Sequence, residues 1–194
     1  MKRIWVILLL ASAVRGADVT LSMTGEALVP NFVRIRAMDQ ATRMLARIGV
    51  QLESKKQNVQ SRSEGMVIQV RFIKDTPGHP GALAFCNPFD PVPQVTVLYD
   101  RILDATERGS GMPAAIPAAF LAHVLVHEIG HLLMRTDVHS PDGVMKAHWS
   151  NADCSRMAYR PLPFLAGDVD MIHRRLASPA LSSATPGSPT GERF

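Results

Sequence analysis

Cysteine is scarce in this chain: of 194 residues only Cys86 and Cys154 carry a thiol, so at most one internal disulfide can form. No cluster of lysine and arginine marks a nucleic-acid surface. Most of the formal charge of +4 sits at the start of the chain: without Lys2 and Arg3 it falls to +2, and without Arg15 to +1. No sequence repeats occur, which sets aside solenoids and propellers. The first apolar run, Ile4 to Leu10, is too short to serve as a stable bilayer anchor. No cysteine follows it closely, so a lipid-anchored mature end is not expected either.

What is present at the start is a basic Met1-Lys2-Arg3, that short apolar run, and then the small residues of Ala11 to Ala17. This is the form of a secretory signal peptide, with cleavage after Ala13 or Gly16. The expected organisation is a signal peptide over 1–16, one domain over 17–177 and a disordered tail over 178–194. The tail is rich in Ser, Pro, Thr and Gly. In an exported protein two cysteines pair by default. Such a Cys86–Cys154 bond would tie the segment before the central helix to the segment after Met145. The rival reading is a thiolate that ligates a metal and keeps the protein latent.

Along the domain, apolar residues at 33, 35, 38, 41, 44, 45 and 48 predict a helix over Val33 to Ile48, closed by Gly49. Strands are expected over Val50 to Lys55, over Met66 to Ile73 by its alternation, over Ala82 to Phe85 and over Gln94 to Tyr99. A polar loop or hairpin should fill Gln57 to Gly65. Arg101 to Gly111 reads as a turn or short helix, Ile116 to Met134 as a buried helix, and Pro163 to Ala177 as a last helix. In that last helix acids lie near the start and arginines near the end, as the helix dipole favours.

The chemistry is concentrated in His127-Glu128-Ile129-Gly130-His131. On a helix, His127 and His131 are one turn apart on one face, so both imidazoles can reach a single zinc ion. Glu128 lies about 100° round the helix, close enough to hold a water but badly placed as a further ligand. It reads as a general base. His123 continues the spacing, but eight helical residues span about 12 Å, too far for one ion to gather all three. His123 is therefore assigned to packing or to support of the metal ligands from behind. Past His131 the only glutamate is Glu192, in the tail, which excludes a glutamate ligand from a later helix. Asp153, Asp168 and Asp170 remain possible ligands, with helix-terminal charge as the simpler reading of the last two.

Around these residues the chain resembles the metzincin zinc peptidases, whose signature is HExxHxxGxxH followed by a methionine-bearing turn. The resemblance is close over 116–149 and departs from the signature twice: the glycine falls on Met134 and the third ligand on Asp137. His139-Ser140 is similar to the His-Ser pair of matrixins, and a turn two residues longer could deliver His139 to the ligand point. The resemblance thus implies zinc held by His127, His131 and His139, with Asp137 as the other candidate for third ligand. Met145 would lie beneath the metal. Where relatives with a tyrosine two residues past the methionine place it, Ala147 stands here, leaving zinc itself, His148 or Tyr159 to stabilise an oxyanion.

The implied fold is α+β: a twisted mixed sheet, a long N-terminal helix, a central active-site helix and a C-terminal helix after the methionine turn. The position of Gly81 to Ala84 is similar to the edge strand that pairs with extended peptide. The implied function is a secreted or periplasmic zinc endopeptidase with Glu128 as general base. It would be monomeric, act on protein or peptide, and have no nucleic-acid partner and no stable membrane anchor. The alternative is a catalytically inactive zinc-binding secreted interaction module.

Overall fold

A computed structural model describes residues 18–54, 65–107 and 115–177. The expected signal peptide, the C-terminal tail and nearly all of the polar loop after the second strand lie outside these residues. The elements run β1 (Asp18–Thr24), a 3-10 turn, α1 (Asn31–Ala46), β2 (Gln51–Ser54), β3 (Met66–Ile73), β4 (Ala84–Cys86) and β5 (Gln94–Leu98). They continue with α2 (Tyr99–Glu107), α3 (Ala115–Met134), α4 (Asn151–Met157) and α5 (Ala166–Leu176). The mixed α+β class is as read from the sequence. The sheet order is β2-β1-β3-β5-β4. β1 runs parallel to β2 and β3, β3 parallel to β5, and only β4 is antiparallel to its neighbour.

Alternation decides which face of the sheet is covered. On β3, Ile68, Val70 and Phe72 are buried while Val67, Gln69 and Arg71 face out. One face therefore meets the helices and the other meets solvent along this strand. The parallel β1–β2 pair needs a crossover, supplied by α1, whose buried Val33, Ala37, Ala41, Met44 and Leu45 repeat at helical spacing. Gly49, at φ 76°, turns the chain out of that helix into β2.

α3 is buried at nearly every position because α1, α2, α4, α5, β4 and β5 all touch it. A helix surrounded in this way needs no polar face. It is long and apolar enough to cross a membrane, but 94% of its apolar window is buried inside the protein, as a central core helix requires.

Several boundaries differ from the sequence reading. β1, in the interior of the sheet, was not among the expected strands, although Val19, Leu21 and Met23 alternate. The short strand starts at Ala84 rather than Ala82, because Leu83 is still turning: its carbonyl accepts from Leu98 N–H at 2.9 Å just beyond the ladder. α5 starts at Ala166 rather than Pro163, since Asp168 accepts from Leu165 N–H at 2.9 Å and fixes the helix start there.

The expected disulfide is absent. Cys86 and Cys154 are both free thiols. Cys86 is held at the end of β4 with its Sγ donating to the carbonyl of Glu128 at 3.6 Å, so its thiol faces α3. Cys154 lies in the second turn of α4, on the wall of a cleft. The expectation came from counting cysteines; these two belong to elements that approach α3 separately.

α3 ends in an unusual way. Arg135 adopts φ 50°, the left-handed conformation normally given to glycine. Thr136 N–H then reaches back to His131 O at 3.3 Å. Because a non-glycine residue pays a steric cost there, Arg135→Gly should raise stability by about 0.5–1 kcal/mol in chemical denaturation. A loss of stability would mean that the arginine side chain contributes contacts that outweigh the strain.

Candidate metal centre

α3 places His127 and His131 one turn apart, and their Nε2 atoms lie 3.0 Å from each other. His139 Nε2 is 3.3 Å from His131 Nε2. Two nitrogens bound to zinc at 2.0–2.1 Å in a tetrahedron are about 3.3 Å apart, so the spacing is that of ligands round one ion. The proton positions support the same conclusion. His127 Nδ1 faces Val144 O at 2.8 Å and His131 Nδ1 faces Thr136 O at 2.8 Å. A carbonyl can only accept, so each Nδ1 carries the proton and each Nε2 presents a lone pair.

Burial lowers the pKa of His127 to about 4 and that of His131 below its usual value, keeping both neutral near pH 7. Two lone pairs facing each other at 3.0 Å repel unless a cation lies between them. Three converging imidazoles form a donor set that suits zinc. Among the described residues, His127, His131 and His139 are the group that could hold a metal ion. Asp137 is exposed and outside that group. Asp153 and Asp168 serve as helix caps, and Asp170 is exposed.

The route that brings His139 back is built from backbone contacts. After the left-handed Arg135, Thr136 Oγ1 accepts from Val138 N–H at 3.1 Å. Ser140 N–H donates to Met145 O at 2.9 Å, and Ser140 Oγ donates to Asp168 Oδ1 at 2.5 Å. The residue after His139 is thus clamped between the next turn and the start of α5. Sequence reading took Asp168 as a charge near the start of the last helix and missed its bond to Ser140, because nothing local links residues 28 apart.

Met145 is fully buried and packs against Gly130, where an added Cβ would come within 2.5 Å of its sulfur. Glycine at 130 therefore lets the Met145 turn lie flat against the helix between the two histidines. Gly143, at φ 77°, makes the bend that precedes Met145, and Val144 N–H closes it on Pro163 O at 2.8 Å.

Glu128 is buried and lines the same cleft as His127 and His139. Burial raises its pKa to about 7, against an opposing pull from the Cys86 thiol and backbone N–H. In turn, burial and the nearby Glu128 carboxyl push the Cys86 thiol well above its usual pKa. A thiol held protonated in this way is no metal ligand, and Cys86 is not part of the histidine group. The cleft, about 580 Å³, runs from Pro80–Ala84 on one side to Lys146–Trp149 on the other, with Phe120 and Val124 on its apolar side. His148 lines it; Tyr159 is 88% exposed and does not.

His123 is fully buried and lies outside the centre. Its Nδ1 donates to Ala119 O at 2.6 Å and its Nε2 accepts from Leu162 N–H at 3.0 Å, pinning the 158–165 segment to α3. His123→Leu should cost about 1–3 kcal/mol by leaving the Leu162 N–H unpaired. Zinc stoichiometry in metal analysis should stay the same, and a loss of zinc would place His123 at the metal instead. His173 bonds Ile48 O at 2.7 Å and His79 stacks on Phe85, and neither belongs to the three-histidine group.

Fold and site together define an α+β protein with a three-histidine centre that could bind a metal, set in a cleft at the sheet edge. Among solved structures the chain is similar to the crystal structure of archaemetzincin from Methanopyrus kandleri. That likeness stands at 15% identity and a TM-score of 0.47, covering 86% of this chain and 99% of that one. No protein-family model matches the chain, and no curated protein matches its sequence. What the site does is therefore read from its own chemistry.

Proposed function

We propose that this protein is an exported zinc-dependent endopeptidase, with His127, His131 and His139 as metal ligands and Glu128 as general base. The observation that carries the reading is the pair of opposed Nε2 lone pairs at 3.0 Å, each fixed by a carbonyl on the other ring nitrogen, with a third imidazole nitrogen at 3.3 Å. Zinc, when bound there, supplies a Lewis acid for a peptide carbonyl and brings the pKa of water towards neutrality. A purely structural zinc takes four protein ligands and has no use for the adjacent buried carboxyl.

Glu128 takes a proton from the attacking water and hands it to the departing amine. β4 is the edge strand next to α3, and an extended substrate laid along the Pro80–Ala84 side would gain main-chain hydrogen bonds there. Export by the Met1–Gly16 segment, a monomeric state and the absence of a nucleic-acid partner belong to the same proposal. The test is cleavage of an unfolded protein by the zinc-loaded and the chelator-stripped chain. Equal rates with and without zinc, or none with zinc bound, would sink the reading.

A further inference from the structure

The cleft wall that leads into β4 is held less by the sheet than by one side chain. Pro80, Gly81 and Ala82 line the cleft, whereas pairing with β5 begins at Ala84, preceded by the bond from Leu98 N–H to Leu83 O at 2.9 Å. Residues 74–83 form neither helix nor strand. Arg101, in the first turn of α2, gathers their carbonyls. Its Nη1 donates to His79 O and, at 2.8 Å, to Ala82 O, and its Nη2 donates to Thr76 O at 2.9 Å. Nη2 also meets Asp75 Oδ1 at 2.5 Å. Asp75 is exposed, so that ion pair adds little and the three carbonyls are what the guanidinium organises. Ala82 N–H then closes on His79 O at 3.3 Å, and the His79 ring stacks on Phe85 of β4. The anchor behind the arginine is firm: Tyr99 before it and Ile102 after it are buried in the core. A guanidinium presents five donors in a planar fork, so two nitrogens can serve three carbonyls and a carboxylate at once. Arg101 itself does not line the cleft, and it is no part of the histidine group. Whatever it does for a substrate it does through the wall.

We infer that Arg101 is a positioning residue for substrate, holding the Pro80–Ala84 wall in the shape that accepts extended peptide before any peptide arrives. Ordering a loop on association weakens binding, and a wall built in advance avoids that loss. The inference rests on the peptidase reading of the cleft and is tested by binding.

The full chain carrying Glu128→Gln and loaded with zinc is titrated with a labelled unfolded protein, carboxymethylated lactalbumin, with Arg101 native or replaced. Arg101→Met should weaken binding by roughly tenfold, and Arg101→Lys, which keeps the charge and loses the fork, by a few fold. Zinc stoichiometry should stay the same. Hydrogen exchange on these samples should speed up for the amides between 76 and 84 and stay unchanged along α3, a pattern that a general loss of stability would not give. With Glu128 in place, Arg101→Lys should raise KM by a few fold and lower kcat by less than about twofold. Unchanged affinity in both variants, no binding even with native Arg101, a loss carried by kcat, or faster exchange spread over α3 overturns the inference. If Arg101→Met fails to fold, Arg101→Lys decides alone. Failure of the peptidase reading looks different: the zinc-loaded wild type would bind the unfolded protein in this Arg101-dependent way and leave it uncut.

Discussion

Glu128→Gln is expected to keep zinc and to slow peptide cleavage by at least ~10²-fold, the amount general base catalysis contributes. Zinc should be retained because Glu128 is not part of the group of three histidines that converge. The substitution preserves the size of the side chain within a buried cleft wall, so packing against β4 is little disturbed. The glutamine can orient a water but cannot accept its proton, which separates holding from proton transfer. Metal analysis and cleavage of an unfolded protein on the same preparation give both readouts. A variant that cleaves as fast as wild type would remove Glu128 from the mechanism. A wild-type protein that binds zinc and cuts nothing would favour the inactive zinc-binding module.

His139→Ala is expected to weaken zinc binding by more than about 100-fold, beyond the 10–100-fold typical of groups that only orient a ligand. Two imidazoles on one helix would remain, half of a tetrahedral site. Asp137→Ala should change the affinity less than about tenfold, since Asp137 is exposed and acts only through its charge near His131. Competition with a chelator of known affinity measures both. The reverse ranking would mean that the turn after Arg135 rearranges when metal binds and that Asp137 is the ligand. Small effects for both would break the three-histidine assignment.

Much of the scaffold was legible because its signals are local. The β3 alternation names its buried face residue by residue, and the stripe in α1 with Gly49 after it gives that helix to within two residues at each end. The histidine pair reads directly, since four residues on a helix leave little freedom in where the side chains meet. α4 was missed although Ser150 and Asp153 stand at capping-box spacing, because seven residues carry too little periodicity to stand out beside the metal motif.

By itself the sequence determined the helix that carries His127, Glu128 and His131, the mixed α+β class and the candidates for the third ligand. Only the tertiary structure brings one of those candidates, His139, beside the other two rings. Whether His139 or Asp137 approaches the other two rings depends on a left-handed Arg135, a serine held by Asp168 and a methionine seated on Gly130, and each joins segments far apart in the chain. The same holds for the unpaired cysteines. Local periodicity fixes which way a side chain leaves its own element. What it then meets is set by the packing of other elements, which no local pattern encodes.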